Sequence, residues 1–218
     1  MHDKPNPGAS ALITIDVQHD FSHKDGAAYI DGTEEILPNI GRVVRGFRAA
    51  GKPIVHVIRL YSRDGSNAEL CRREAVANSG GIVAPDSAGS QLVAGLRPDP
   101  GTKIDPEFLL RGGFQEVAPN EWIMFKPRWG AFYQTGLHDH LTGIGVDTLT
   151  FVGVNFPNCP RASIYQAGER DFRVIVVSDA VSQVYERGLA ECRGIGVRVH
   201  NCTEVLAWIG QPQAHQLQ

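Results

Sequence analysis

The chain has 218 residues, of which 42% are hydrophobic and 21% are charged, and its formal net charge is -3 at pH 7. These values are ordinary for a globular protein and argue against a disordered, collagen-like or fibrous class. No basic tract supplies the positive charge that phosphate binding needs, so we expect no nucleic-acid partner. A single domain over residues 1–218, with a frayed tail at 211–218, is the simplest expectation at this length.

The first apolar run, residues 11–17, is rich in β-branched side chains and predicts a buried strand. It is too short and, at Asp16, too polar to be a secretory signal, and no stretch approaches the length of a membrane span. The four cysteines lie far apart without Cys-x-x-Cys spacing, which argues against a zinc site or a disulfide framework. We therefore expect a cytoplasmic protein without a membrane partner.

Helical periodicity predicts a helix over residues 33–50, and a second strand follows at residues 53–59. The pattern weakens over residues 60–120, where only short helices at 66–78 and 90–96 are indicated and the segment is expected to form a lid or a subunit contact. Four further strands are predicted at residues 121–126, 147–153, 172–178 and 197–201, alternating with helices at 134–143, 160–170, 182–192 and 203–210.

Strands that alternate with helices predict an α/β fold, in which a six-stranded parallel sheet is covered by helices on both faces. The expected architecture is three-layered and Rossmann-like, with the strand order 3-2-1-4-5-6. In such sheets the ligand site lies beyond the carboxyl ends of the strands, where the order reverses. Polar residues that follow strand ends are therefore the candidates for a site.

Three reactive residues follow predicted strand ends. Asp16 closes the first strand, Lys126 closes the third, and Cys159 follows the fourth after a short turn, so all three are expected at one edge of the sheet. Cys159 precedes Pro160 at the predicted start of a helix, where the helix dipole and a nearby Lys126 would lower the pKa of the thiol. Asp16 is then the candidate general base for a cysteine nucleophile. Each residue alone has an ordinary structural explanation, and only their joint placement favours catalysis.

Other polar residues indicate no further chemistry. His56 lies inside an apolar strand and is expected in the core, whereas His138 and His140 are expected on the wet face of a helix rather than as a metal pair. Neither a P-loop nor a Gly-x-Gly-x-x-Gly motif occurs, so no nucleotide cofactor is expected.

Three sequence blocks occur in order along the chain, each with one of the reactive residues: LITIDVQHDF, FKPRWGAFYQTGLHDHL and GVNFPNCPRASIYQAGERDFRVIVVSDAV. Together they resemble the isochorismatase-like cysteine hydrolases, a family that includes nicotinamidases, N-carbamoylsarcosine amidases, biuret and ureidoacrylate hydrolases, and isochorismatases. The resemblance covers nearly the whole chain.

The resemblance implies a role for each reactive residue: Asp16 as the base, Lys126 as the group that stabilises the thiolate and the transition state, and Cys159 as the nucleophile. It also implies a cis peptide bond between Val154 and Asn155, and an oxyanion hole formed by the backbone N–H groups of Asn155 and Cys159. A homo-oligomer, either a dimer or a tetramer, is expected on the same ground.

The sequence departs from the family pattern at two places. Nicotinamidases carry a metal-binding Asp-x-His after the second strand, where this chain has Arg59 and Tyr61, so no metal is expected. Around the cysteine, Phe156, Pro157 and Pro160 replace the more usual residues. Phe156 would either narrow the pocket or pack beneath the turn, and the sequence leaves both interpretations open.

Aromatic residues that flank the three blocks are candidates for the pocket wall: Phe21, Trp129, Phe132 and Phe156. Trp129 could equally serve a subunit contact. Arginines at positions 59, 128 and 161 are possible anchors for an acidic substrate, with no preference among them, because surface arginines are common.

The leading hypothesis is a metal-independent, cysteine-dependent amidohydrolase that cleaves a C–N bond of a small amide, ureido or carbamoyl compound through a thioester intermediate. One alternative is hydrolysis of a vinyl ether such as isochorismate, in which Asp16 would protonate the substrate. Another is a catalytically silent binding protein on the same fold. The sequence does not identify the substrate, because specificity depends on the shape and polarity of the pocket.

Overall fold

The computed structural model describes residues 3–210, which form one mostly parallel β-sheet flanked by helices. The strands are β1 Ser10–Ile15, β2 Ile54–Ile58, β3 Phe114–Ala118, β4 Glu121–Phe125, β5 Thr148–Gly153, β6 Arg173–Val181 and β7 Arg198–His200. Their order across the sheet is β3-β4-β2-β1-β5-β6-β7. The expected frayed tail at 211–218 lies outside the described residues.

The predicted strand order is confirmed, whereas the predicted number of strands is wrong. The six predicted strands correspond to β4-β2-β1-β5-β6-β7, all parallel and in the order 3-2-1-4-5-6. A seventh strand, β3, pairs antiparallel with β4 at the sheet edge, inside the segment where no strand was expected. Two residues, Pro119 and Asn120, connect them, and Asn120 has the positive φ of 59° that such short turns require.

The helices are α1 His19–Ser22, α2 Thr33–Ala49, α3 Arg73–Ala77, α4 Pro106–Leu110, α5 Leu137–Gly143, α6 Cys159–Gly168, α7 Glu186–Gly194 and α8 Cys202–Ile209. Short 3-10 turns at Ala88–Ser90 and Ala94–Leu96 replace the helix expected at 90–96, and only α3 forms within the helix expected at 66–78. Helix α7 begins four residues later than expected because β6 continues to Val181.

Two apolar clusters fill the space between the sheet and its two layers of helices. Alternate residues of β1 divide between them: Ile13 and Ile15 belong to the cluster that contains residues of α5, α6 and α7, and Leu12 belongs to the cluster that contains residues of α2 and α8. Because successive side chains of a strand point to opposite faces, the two clusters cover opposite faces of the sheet. Between residues 3 and 210, no helix combines the length and the apolar character needed to cross a membrane.

Candidate active site

A cavity of about 340 Å³ opens at the carboxyl ends of β1, β2 and β5, where the order of the strands reverses. This is the place where open α/β sheets bind ligands. Its lining combines residues from strand ends with residues from the connecting loops: Asp16, Phe21, Ala28, Tyr29, Ile30, Asp31, Arg59, Tyr61, Arg72, Trp129, Val154, Asn155, Asn158, Cys159 and Gln183.

The ends of β1 and β4 bring Asp16 and Lys126 together. Oδ2 of Asp16 lies 3.0 Å from Nζ of Lys126, and the two side chains are 5% and 0% exposed. Nζ also donates a hydrogen bond to the carbonyl oxygen of Arg128. Oδ1 of Asp16 is buried and accepts no hydrogen bond from residues 3–210. The carboxylate therefore has one oxygen held by the ammonium group and one oxygen free to accept a proton.

Cys159 is the first residue of α6 and faces the same cavity as Asp16. The turn before it begins at Gly153, whose φ is 129° and where an added Cβ would lie 2.2 Å from the carbonyl oxygen of Ile15. Only glycine fits this conformation and this contact. The next N–H, that of Val154, donates to the same Ile15 oxygen at 2.9 Å. The turn that carries the thiol is thus fixed directly against the strand that carries Asp16.

The expectation of a lowered thiol pKa is wrong. Burial, and next the negative charge of Asp16, raise the pKa of the Cys159 thiol to about 12, and the positive charge of Lys126 offsets only part of this increase. Desolvation disfavours the charged form of any thiol, and here it outweighs a nearby cation. The resting cysteine therefore keeps its proton, and a base must remove that proton during attack.

The backbone around the turn presents two unused donors. The peptide bond between Val154 and Asn155 is cis, as the resemblance implied. In the described part of the chain, no protein acceptor takes a hydrogen bond from the backbone N–H of Asn155 or of Cys159, and both residues line the cavity. The Asn155 side chain is held by hydrogen bonds with Gln183 and Asn158. Both N–H groups are therefore available to a ligand in the cavity.

The predicted aromatic wall is only half present. Phe21 and Trp129 line the cavity, and Trp129 is 38% exposed at its rim. Phe132 does not line it but packs against Phe172 in the core, with ring centroids 5.8 Å apart. Phe156 is fully buried and does not line it either; its ring packs against that of Tyr185 in a T-shaped arrangement with centroids 5.6 Å apart. The assignment of Phe132 and Phe156 to the pocket wall is corrected, and Phe156 packs beneath the turn.

Strand β2 is followed by a buried arginine, Arg59, at the place that corresponds to the metal-binding residues of nicotinamidases. The guanidinium of Arg59 is paired with Glu69 at 3.1 Å, donates to the carbonyl oxygen of Lys126 at 2.8 Å and lies 4.4 Å from the ring centroid of Tyr61. A fixed positive charge here disfavours a divalent cation. Among residues 3–210 no three His, Cys, Asp or Glu side chains are grouped as a metal site would require. The residues present do not fit the metal of nicotinamidases.

Two residues of the first sequence block hold the cavity walls in place. The Gln18 side chain donates to the carbonyl oxygens of Arg59 and Ser90 and accepts from the Arg59 N–H, each at 2.8 Å. Asp20 accepts from the N–H of Val83 at 2.6 Å. Both side chains thus fix the segment after β2 against the end of β1.

Further loop residues complete the cavity, and of these the sequence had marked only Tyr61, as a departure from the metal-binding pattern of nicotinamidases. Tyr61 and Arg72 come from the 60–120 segment, Asp31 from the loop before α2, and Gln183 from the loop after β6. No periodic pattern marks these loops, so the sequence carried no signal for them. Of the three candidate anchors, Arg59 lines the cavity, whereas the other two lie outside its lining and bind elsewhere: Arg128 to backbone oxygens, and Arg161 to Glu191.

None of the histidines between residues 3 and 210 lies in the cavity lining. His56 is fully buried and contacts Thr14 and Glu121 at 2.8 Å each, and its burial lowers its pKa despite the opposing effect of Glu121. This agrees with its expected place in the core. His138 pairs with Asp139, but His140 stacks on Phe114 at 4.3 Å, so the expectation of a wet face is wrong for His140.

A model of the isochorismatase domain matches residues 10–108 and 109–198. The chain is 30% identical over 207 residues to a protein of Arabidopsis thaliana named "Probable inactive nicotinamidase", covering 91% of this chain and 96% of that protein. It is 28% identical over 192 residues to the ureidoacrylate amidohydrolase RutB of Methylobacterium radiotolerans, covering 82% and 69% of the two chains. The crystal structure of an isochorismatase family protein from Desulfovibrio vulgaris superposes with a TM-score of 0.78 at 29% identity, covering 93% and 99%.

Proposed function

The chain belongs to the isochorismatase family, and from this membership we propose that it is a cysteine-dependent amidohydrolase acting on a small amide, ureido or carbamoyl compound. The observation that carries the proposal is that Asp16 and Cys159 line one cavity, while Lys126 lies buried outside the lining with its Nζ 3.0 Å from Oδ2 of Asp16. A nucleophile and a base in one cavity, with a fixed cation in contact with the base, are what acyl transfer through a thioester needs.

The first half of the reaction forms the thioester. The free oxygen of Asp16 takes the proton of the Cys159 thiol as the sulfur attacks the carbonyl carbon of the substrate. The oxygen of that carbonyl becomes an oxyanion and accepts hydrogen bonds from the N–H groups of Asn155 and Cys159. Asp16 then passes its proton to the departing nitrogen, the C–N bond breaks, and ammonia or an amine leaves.

The second half releases the acid. Asp16 takes a proton from a water molecule, whose oxygen attacks the thioester carbonyl carbon, and the same two N–H groups hold the second oxyanion. When the C–S bond breaks, Asp16 returns the proton to the sulfur. The products are a carboxylic or carbamic acid and the free thiol, so the cycle closes without a change in the protein.

The raised pKa of the Cys159 thiol indicates what the Asp16–Lys126 ion pair does in the proposed reaction. Because burial keeps the Cys159 proton in place, the reaction depends on proton transfer to Asp16 at the moment of attack. Lys126 stabilises the negative charge that moves from the carboxylate to the sulfur and the oxyanion. The buried Arg59 supports a metal-independent reaction, since the place expected for metal ligands already holds a positive charge.

A catalytically silent binding protein is the second candidate, favoured by the name of the Arabidopsis relative. The two are separated by measuring ammonia release from a panel of amides and ureido acids with wild-type protein and with Cys159→Ala. The amidohydrolase proposal requires release with at least one compound and a fall to background in the variant. No release from any compound by folded wild-type protein supports the silent alternative.

The Cys159→Ala variant also addresses vinyl ether hydrolysis. That reaction needs a proton from Asp16 but no covalent step on sulfur, so it would survive the substitution. Substantial turnover of isochorismate by Cys159→Ala would therefore contradict the thiol mechanism. A matched control is Cys192→Ala, because Cys192 is also buried but lies in α7, outside the cavity lining.

A further inference from the structure

Arg72 contributes a positive charge to the cavity that no acid neutralises. It is half-buried and lines the cavity just before α3, and its backbone N–H is anchored on the carbonyl oxygen of Glu69 at 2.9 Å. Within residues 3–210 its side chain forms no ion pair and no hydrogen bond. A guanidinium group carries five N–H donors, so the whole donor set of Arg72 is available to a ligand.

The other cations of this region are already neutralised by acids. Lys126 is paired with Asp16, and Arg59 is paired with Glu69. Asp31 also lines the cavity, but it is exposed and does not pair with Arg72. Solvent screens an exposed carboxylate strongly, so Asp31 compensates the Arg72 charge only weakly. The interior of the cavity therefore has an excess of positive charge on the Arg72 side.

The ring of Tyr61 lies near the Arg72 guanidinium and also contacts Arg59 at 4.4 Å. The guanidinium carbon lies 6.0 Å from the ring centroid, and Tyr61 is 1% exposed, so the platform is itself fixed. Burial is the largest of the causes that raise the pKa of Tyr61, and the ring stays neutral. Contact with an aromatic ring orients a guanidinium but uses none of its N–H groups. The Arg72 guanidinium therefore lies near this ring with its N–H groups available to bind an anion.

We infer that Arg72 binds a carboxylate of the substrate and so selects anionic amides or ureides over neutral ones. This inference rests on the proposed function. The planar fork of arginine matches a carboxylate with two parallel hydrogen bonds. A cavity of 340 Å³ equals the liquid volume of about eleven water molecules, which is enough for a small molecule with an amide at Cys159 and a carboxylate at Arg72.

The test compares two alkylating probes of nearly equal size at Cys159. Iodoacetate is anionic and iodoacetamide is neutral; each forms an S–C bond, releases iodide and leaves the thiol proton with the protein. Rates at Cys159 are measured by mass spectrometry in a Cys71→Ser background, because Cys71 is exposed and would react as well. The iodoacetate-to-iodoacetamide rate ratio, divided by the same ratio for free glutathione, reports the preference of the cavity for an anion.

Arg72→Gln should lower this normalised ratio about tenfold, the effect of losing one charge-assisted contact. Arg72→Lys should restore part of it. The matched control is Asp31→Asn, which changes the net charge by one unit in the opposite direction at an exposed position. It should alter the ratio only about twofold. A ratio unchanged in Arg72→Gln overturns the inference, and so do equal and opposite changes in the two variants, which would indicate only the overall field.

If Cys159 reacts with neither probe, a binding measurement tests whether Arg72 gives the cavity a preference for anions. Calorimetry on the Cys159→Ala protein compares succinamate, which carries one carboxylate and one amide, with the neutral succinamide. The inference requires tighter binding of succinamate and loss of that preference in Arg72→Gln. Equal binding of both, or no binding of succinamate, overturns it. Failure of the proposed function is distinct, because it appears as an absence of ammonia release while the preference for anions persists.

Discussion

Asp16 and Lys126 form an ion pair of 3.0 Å across the end of β2, although their own strands, β1 and β4, are not neighbours in the sheet. Asp16 adopts a positive φ of 54° immediately after β1. Both side chains are buried, so little solvent reaches either charge. Each charge is stabilised chiefly by the other, and a change to one residue changes the state of both.

Lys126→Met should destabilise the protein by about 3 kcal/mol, because it leaves the Asp16 carboxylate buried without its partner. The double variant Asp16→Asn with Lys126→Met should recover most of this loss. Urea unfolding measures both. The control is Arg111→Met, which removes the exposed pair with Glu107 and should cost less than about 1 kcal/mol. A loss in Lys126→Met as small as in the control would contradict the mutual dependence of the pair.

The Cys159 thiol should show no ionisation near neutral pH. At pH 9, three units below a pKa of about 12, roughly one thiol in a thousand is ionised. The difference in thiolate absorbance near 240 nm between wild-type and Cys159→Ala should therefore show no step up to that pH. A step between pH 6 and 8 would mean that the helix dipole and Lys126 outweigh burial.

The same raised pKa links Cys159 to stability at alkaline pH. The folded-state pKa of about 12 lies above the unfolded value near 9.0, so the folded protein holds this proton more tightly. The resulting stabilisation is fully present below pH 9 and is lost as the pH rises towards 12. The free energy of unfolding of wild-type protein, relative to Cys159→Ala, should fall over that interval. A relative stability that rises with pH would contradict the direction of the shift.

Gly153→Ala should reduce both stability and activity. Its Cβ would meet the carbonyl oxygen of Ile15 at 2.2 Å, and φ is unfavourable for alanine, so a loss well above about 1 kcal/mol is expected together with displacement of the thiol. Gly168→Ala at the end of α6 is the control, since an added Cβ there meets nothing within 4 Å. Thermal unfolding and Cys159 alkylation test both effects. Equal behaviour of the two variants would contradict the need for glycine at position 153.

The protein is expected to be a homo-oligomer in solution. Large apolar side chains remain exposed on the single chain, with Leu70 at 81% and Ile195 at 55%. An apolar side chain this exposed is covered when it lies in an interface between subunits. Size-exclusion chromatography with light scattering should give a mass that is two or four times 23.7 kDa. A single species of 23.7 kDa would contradict the prediction.

The positions of Asp16, Lys126 and Cys159 could be predicted because each follows an apolar strand and parallel strands share one edge. The seventh strand could not be predicted in the same way, since β3 is a half-buried edge strand without the apolar run of the inner strands. Pro119 and Asn120 were the signal available, as such dipeptides mark turns.

The environment of each side chain was harder to predict than its position in the fold. The direction of Phe156 depends on the backbone of the turn before α6, and the exposure of Cys159 depends on residues from several strands and loops. For the thiol, burial therefore reversed the direction of the expected pKa shift. The sequence did not single out Arg72, because its availability to a ligand depends on its lacking an acidic partner in the folded protein. No sequence pattern shows this.

The residues that line the cavity come partly from the ends of regular secondary-structure elements and partly from loops. Asp16 directly follows β1, and Cys159 begins α6 after the turn that follows β5, whereas Tyr29 and Arg72 lie in loops that belong to no strand. Substitutions in the loops can therefore accumulate without moving the sulfur or the carboxylate. Exchange of these loops would therefore alter which compounds fit the cavity and leave Asp16 and Cys159 in place.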